Sequence, residues 1–228
     1  SLRKLRNTGC DAYNILLNLE YFKKKKKLPV KVGNLFMLEN PTQWYPPGYL
    51  FFLSIFSQDF LKKNHWLVNH IFDFFSLLIF LKISDNFNLE FDAKIFITIV
   101  YATSTCILNE FYSLNTRPIG LLIFNISIYL IISYNVETVF FLLCIFGTIL
   151  FYTHKLSFQC LIFLYITLSI FFNINFFFIL IGIFFISFLI WPSGFKSLSI
   201  AHFNILKFWH KNWNYLGSHI VRESIYYN

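Results

Sequence analysis

Charge is the scarcest feature of this chain. Only 13% of its 228 residues are Asp, Glu, Lys or Arg, where globular proteins carry roughly 25%. With 57% hydrophobic residues and a mean hydropathy of +0.58, that shortage predicts an all-α fold, a polytopic transmembrane helix bundle in contact with the lipid bilayer. Cysteine is also sparse: Cys10, Cys106, Cys144 and Cys160 form no close pair. Neither a zinc spacing nor a disulfide framework is present, and the last three read as small apolar packing residues. There is no Gly-rich phosphate loop, no Gly-x-Ser-x-Gly and no His-Glu-x-x-His, so soluble-type hydrolase or nucleotidase chemistry has no motif to stand on. The net charge of +8 forms no basic patch interleaved with aromatics outside the apolar segments, and nucleic acid is set aside as a partner.

What is abundant is Phe, with 32 residues, alongside many Ile, Asn, Lys and Tyr. Such a bias lowers the weight of any single Lys or Asn. Polar character concentrates at the front. Residues 1–48 hold Asp11, the run Lys23–Lys27 and Glu39, and close on Trp44-Tyr45-Pro46-Pro47-Gly48, with Tyr49 next. The chain opens at Ser1 directly on this polar stretch, so a membrane helix is expected ahead of it.

Residues 49–195 are expected to form a bundle of about seven helices. Tyr49–Phe60 is short against the roughly 20 residues a crossing needs, and reads as a short span or a re-entrant helix. Further apolar segments are Trp66–Leu81, Ile95–Leu108, Pro118–Val136 and Thr138–Thr153. Leu156–Phe195 contains no charged residue over forty positions, enough for two crossings joined near Asn173 and Asn175. Residues 196–228 read as an interfacial tail, with Phe203, Leu206, Phe208, Trp209 and Trp213 among Lys207 and Lys211.

Alternating sides from the front loop puts Lys62, Lys63, Arg117, Lys155 and the basic tail on one face. Lys82 and Lys94 lie opposite with Asp85, Glu90 and Asp92. Positive-inside bias then makes the first face cytoplasmic and the front loop outer, in a plasma or inner membrane. If Tyr49–Phe60 fails to cross, the front loop changes sides.

Candidate chemistry lies mostly in that loop. By position alone Asp11 reads first as a favoured N-cap for a helix over Ala12–Phe22; the same location lets it act as a general base or hold a divalent cation against phosphate. Glu39 is the second carboxylate of the loop and, with Tyr45, a candidate for substrate binding. The two prolines rigidify the approach to the membrane, and Trp44 and Tyr45 suit the headgroup level. His70 and Asp73, three apart on one helix face, read as a buried hydrogen-bonded pair, with His65 on a poorer face for a metal set. Arg117-Pro118 and His154-Lys155 fall at helix ends as snorkelling anchors.

The order of these segments resembles a known family. Asp11 opens a helix, a basic stretch with Leu28-Pro29 follows, and Tyr45-Pro46-Pro47-Gly48-Tyr49 leads into apolar helix. Thr116-Arg117-Pro118-Ile119-Gly120-Leu121-Leu122 and Thr153-His154-Lys155-Leu156-Ser157 look like helix starts of bacterial members. The pattern, over roughly residues 9–160, is similar to the GT-C fold integral-membrane glycosyltransferases, which include protein mannosyltransferases and aminoarabinose transferases. The resemblance implies transfer of a sugar from a polyprenyl-phosphate donor to a glycan, lipid or protein acceptor on the outer face. It implies that Asp11 serves as base or metal holder, with a divalent metal ion as candidate cofactor. Ala12 stands where members often carry a second acidic residue, and Asn14 or Ile15 where many carry His. Two other readings remain: an envelope polysaccharide polymerase or ligase, and a transporter or non-catalytic assembly subunit. The transporter would make His70 and Asp73 central.

Overall fold

In the computed structural model, residues 10–28, 46–104 and 114–213 are described. Among them the chain is all-helical, with nine helices in the order α1 Cys10–Lys25, α2 Gly48–Ser54, α3 Gln58–Asn86, α4 Phe91–Thr103, α5 Arg117–Ser133, α6 Val136–Phe151, α7 Lys155–Phe171, α8 Asn175–Ile190 and α9 Pro192–Lys211.

Helices α5 to α8 form the apolar centre. Their core is built from Leu143, Leu150, Phe151, Phe158, Leu161, Tyr165, Ile179 and Ile183, with Leu198 of α9 added at one end. Short connections make consecutive helices antiparallel. Pro118 occupies the first turn of α5, where its missing N–H costs nothing. The two crossings expected in Leu156–Phe195 appear as α7 and α8. Between them Asn173 Oδ1 accepts from the Asn175 N–H at 2.9 Å, and both Asn side chains donate to Glu137 at the start of α6.

Helix α6 is tied to α8 by a ladder at four-residue intervals. Cys144 Sγ donates to Ile179 O, Thr148 Oγ1 to Ile183 O and Tyr152 OH to Ser187 O at 2.7 Å. Small and hydroxyl side chains of this kind hold helices together where no hydrophobic force acts between them.

A second core unites the front of the chain with the bundle. Ala12 and Leu19 of α1, Tyr49 and Leu53 of α2, Leu61, Val68 and Phe72 of α3, and Leu114 pack together, and Ile119 touches both cores. Helix α3 bends at Asn64 (φ −129°, ψ 19°) and then runs beside α5. The two end together, where Asn86 donates to Ser133 Oγ at 2.6 Å. Helix α4 returns along α3, held by the ion pair Lys94–Asp85 and by Tyr101 OH donating to Asp73 at 2.7 Å.

Two expectations change here. Helix α2 has seven residues, a length of about 10 Å, and cannot cross a bilayer. The chain turns at Ile55–Ser57 without leaving that end, and Lys23 Nζ donates to Phe56 O. The exit of the front loop therefore lies at the same end as Arg117 and Lys155, not opposite them. The Gly48 N–H donates to Tyr152 O at 2.6 Å, which fixes the point directly. The second change concerns α1, which starts at Cys10; Asp11 is inside the first turn rather than capping it.

Among the described residues one helical segment, Leu67–Asn86, is long and apolar enough to cross a membrane, and α5, α6, α7 and α8 are apolar helices of 16 or 17 residues. Their outward faces are strongly apolar: Phe141 is 77% exposed, Phe163 73% and Phe171 74%.

Candidate functional site

The front end of the bundle carries a cleft of mixed polar and apolar lining with a volume of about 70 Å³. A single water occupies at least about 10–15 Å³ on that measure, so a small polar group fits with room to spare. One wall is α1, through Asn14, Ile15 and Asn18. The second is the loop exit, through Pro46, Tyr49 and Leu50. The third is the start of α5, through Asn115, Thr116 and Arg117.

Each wall has a local cause. On α1, positions 14 and 18 are one helical turn apart, and Asn18 Nδ2 donates to Asn14 Oδ1 at 3.0 Å. At the exit, Tyr49 is buried with its hydroxyl donating to Asn69 Oδ1 of α3 at 2.9 Å. Burial pushes its phenol far above the ordinary tyrosine range, so it stays a neutral donor. Before α5, Asn115 Oδ1 accepts the Arg117 N–H at 2.8 Å, a turn that sets the helix start. Asn115 and Thr116 are buried while Arg117 is exposed.

The corner between α6 and α7 packs against Gly48 and Gly120, next to two of the cleft walls. His154 is buried and caps α7, its Nδ1 accepting from the Ser157 N–H at 3.3 Å and lying 2.8 Å from Ser157 Oγ. Burial, reinforced by the Arg117 charge, lowers its pKa to about 4; a neutral imidazole is the form that can accept there. Two glycines permit the close approach. A Cβ on Gly48 would stand 2.7 Å from Tyr152 O and 2.9 Å from Thr153 Oγ1, and one on Gly120 would stand 2.7 to 2.8 Å from His154 side-chain atoms.

Chemically, the cleft offers one guanidinium at a helix N-terminus and three carboxamides. Guanidinium and helix start suit an anionic oxygen; amides suit hydroxyl-rich ligands. Of the residues expected to act, Asp11 sits in the first turn of α1, one turn before Asn14; its side chain lies outside the described residues, as do Glu39 and Tyr45. Among the described residues no three His, Cys, Asp or Glu come together in a way that could hold a metal. His70 and Asp73 are not a buried pair: His70 is exposed, and half-buried Asp73 bonds to Tyr101.

Sequence pattern alone does not mark Asn14, Asn18, Asn115 and Thr116 as binding groups. Their signal was faint: an i, i+4 pair of Asn on α1, and Asn-Thr ahead of Arg-Pro, in a chain where Asn is common. No protein-family model, no curated protein and no solved structure matches the chain.

Proposed function

We propose that this chain is a polytopic membrane protein and part of a glycosyltransferase of the GT-C kind. It moves a sugar from a polyprenyl-phosphate donor to a glycan, lipid or protein acceptor at the outer face of a plasma or inner membrane. The observation that carries the reading is convergence. Asn14 to Asn18 of α1, the helix that Asp11 opens, Pro46-Pro47-Gly48-Tyr49, Thr116-Arg117-Pro118 and Tyr152-Thr153-His154, far apart in sequence, meet at one end of the bundle. These are the segments on which the family resemblance rests.

In this reading α3 and α5–α8 cross the bilayer, and the stretch that opens with α4 returns the chain to the front end between α3 and α5. At 1.5 Å per residue, helices of 16 or 17 residues span about 24–26 Å, and local thinning of a core about 30 Å thick accommodates them. Asp11 takes the proton of the acceptor hydroxyl, and Arg117 meets the phosphate charge that develops as the sugar leaves. Glu39 and Tyr45 contact the substrate, and a divalent cation is a candidate partner for the phosphate.

Charge distribution favours a second orientation. Lys62, Lys63, Arg117 and Lys155 share the front end, while Asp85, Glu90, Asp92 and Glu137 lie towards the other, so positive-inside bias puts the front end in the cytoplasm. In the transferase reading those basic groups serve the donor phosphate instead. Membrane-impermeant labelling of single cysteines placed at Lys26 and Lys62 in intact cells separates the two: outer labelling supports transfer at the outer face, and protection of both sites sinks it. The chemistry has its own test. In membranes given a labelled polyprenyl-phosphate sugar, Asp11→Asn lowers transfer by at least about 100-fold, the usual scale for a lost general base, and Asp73→Asn leaves transfer intact. The reverse pattern supports a transporter centred on Asp73 and Tyr101.

A further inference from the structure

Helix α9 has two faces of different chemistry. One docks on the bundle through Phe195, Leu198 and His202, at i, i+3 and i+7; the His202 ring lies against Phe151 of α6 and Phe158 of α7. The other is exposed and carries Ile200, Phe203 and Leu206 together with Lys196, Lys207, His210 and Lys211. The helix contains no acidic residue over its 20 positions.

The exit geometry sets where this face lies. Helix α8 is charge-free, and the chain turns at Trp191 and restarts at Pro192. The first charge after α8 is Lys196. If α8 crosses the bilayer, α9 emerges at headgroup depth with its basic and apolar groups side by side.

We infer that the exposed face of α9 is a docking surface for anionic phospholipid, which holds the helix flat on the membrane at the cleft end of the bundle. The apolar side chains enter the acyl boundary and the lysines meet headgroup phosphates. The absence of any acidic side chain on α9 makes that face complementary to negative lipid and indifferent to zwitterionic lipid. The inference rests on the membrane reading of α8.

The test places an environment-sensitive fluorescent amino acid at position 203 in the full chain, reconstituted in vesicles of phosphatidylcholine with or without phosphatidylglycerol. A second sample carries it at position 185, on the exposed apolar face of α8. Quencher-bearing lipid is expected to quench position 185 in both vesicles. At position 203 it is expected to quench strongly only with phosphatidylglycerol. Lys196→Gln and Lys207→Gln, each worth about fivefold in surface affinity, and high salt should reduce that quenching. Equal quenching of position 203 in both compositions, or no loss in the double variant, overturns the proposal while position 185 shows the bundle to be embedded. No quenching at position 185 overturns the membrane reading beneath it.

Discussion

Gly48 carries more of the architecture than its size implies. Its N–H bonds Tyr152 O, and a Cβ there would press on backbone that cannot move aside. Gly48→Ala should therefore cost about 1–3 kcal/mol, the range for overpacking, and lower the thermal midpoint in detergent. Leu50→Ala, two residues on and only half-buried, serves as a milder reference. The same scale holds the acid sensitivity of the fold. His202 is buried, both ring nitrogens lack a hydrogen-bond partner among the described residues, and burial beside Lys155 lowers its pKa to about 4. A lowered histidine pKa favours the neutral form on folding. Its stabilising contribution is complete above pH about 6.5 and is lost as pH falls from there towards 4. Thermal midpoints at pH 7.5 and 4.5 should thus diverge, and His202→Phe, which keeps the ring stacking, should narrow the gap. An unchanged gap would assign the acid sensitivity to His154. Little of this was legible in sequence: His154 reads there as an exposed helix-end anchor rather than a buried cap, and His202 does not stand out until the helices bring it against Phe151. Asp11 and Arg117 were visible as charges in a chain with few of them; the asparagines were hidden by their abundance.

At the level of elements, hydrophobic runs marked α3 and α5–α8, since long apolar stretches with few charges that end at Pro, Asn or charged residues leave little freedom of assignment. Helix α2 shows where that logic stops. Tyr49–Phe60 is as apolar as a span, yet the turn at Ile55–Ser57 and the docking of Tyr49 onto Asn69 come from tertiary contacts. The kink at Asn64 likewise has no warning in composition. The ladder between α6 and α8 predicts a graded response. Tyr152→Phe removes the hydroxyl that donates to Ser187 O and should cost about 0.6–1.7 kcal/mol, as interhelical hydrogen bonds in membranes do. Unfolding in mixed detergent reads that loss, and a neutral result would mean that Gly147 and Gly182, which bring the two helices into close contact, suffice without the ladder.

For the whole molecule, the decisive feature is that one end gathers the loop exit, Arg117, the α6–α7 corner and the docked helix α9, while the other end holds the Lys94–Asp85 and Glu137–Asn173 contacts. Alternation of sides along the sequence misplaced Arg117 and Lys155 relative to the loop because it counted α2 as a crossing. With α2 confined to one end, the loop exit and the helix starts lie at the same end of the bundle, and in the proposed membrane reading a reaction between a lipid-borne phosphate and groups on both becomes geometrically open. The central claim is that the donor phosphate sits in the cleft between α1 and the start of α5. A polyprenyl-phosphate sugar bearing a photoreactive group at the sugar, irradiated with the full chain in vesicles and mapped by mass spectrometry, tests it most directly. The account predicts crosslinks in the peptides holding Asn14–Asn18 and Asn115–Arg117, reduced by unlabelled donor and weakened in Arg117→Gln. Crosslinks confined to α3 and α4 around Asp73 and Tyr101, unchanged by Arg117→Gln, would contradict it.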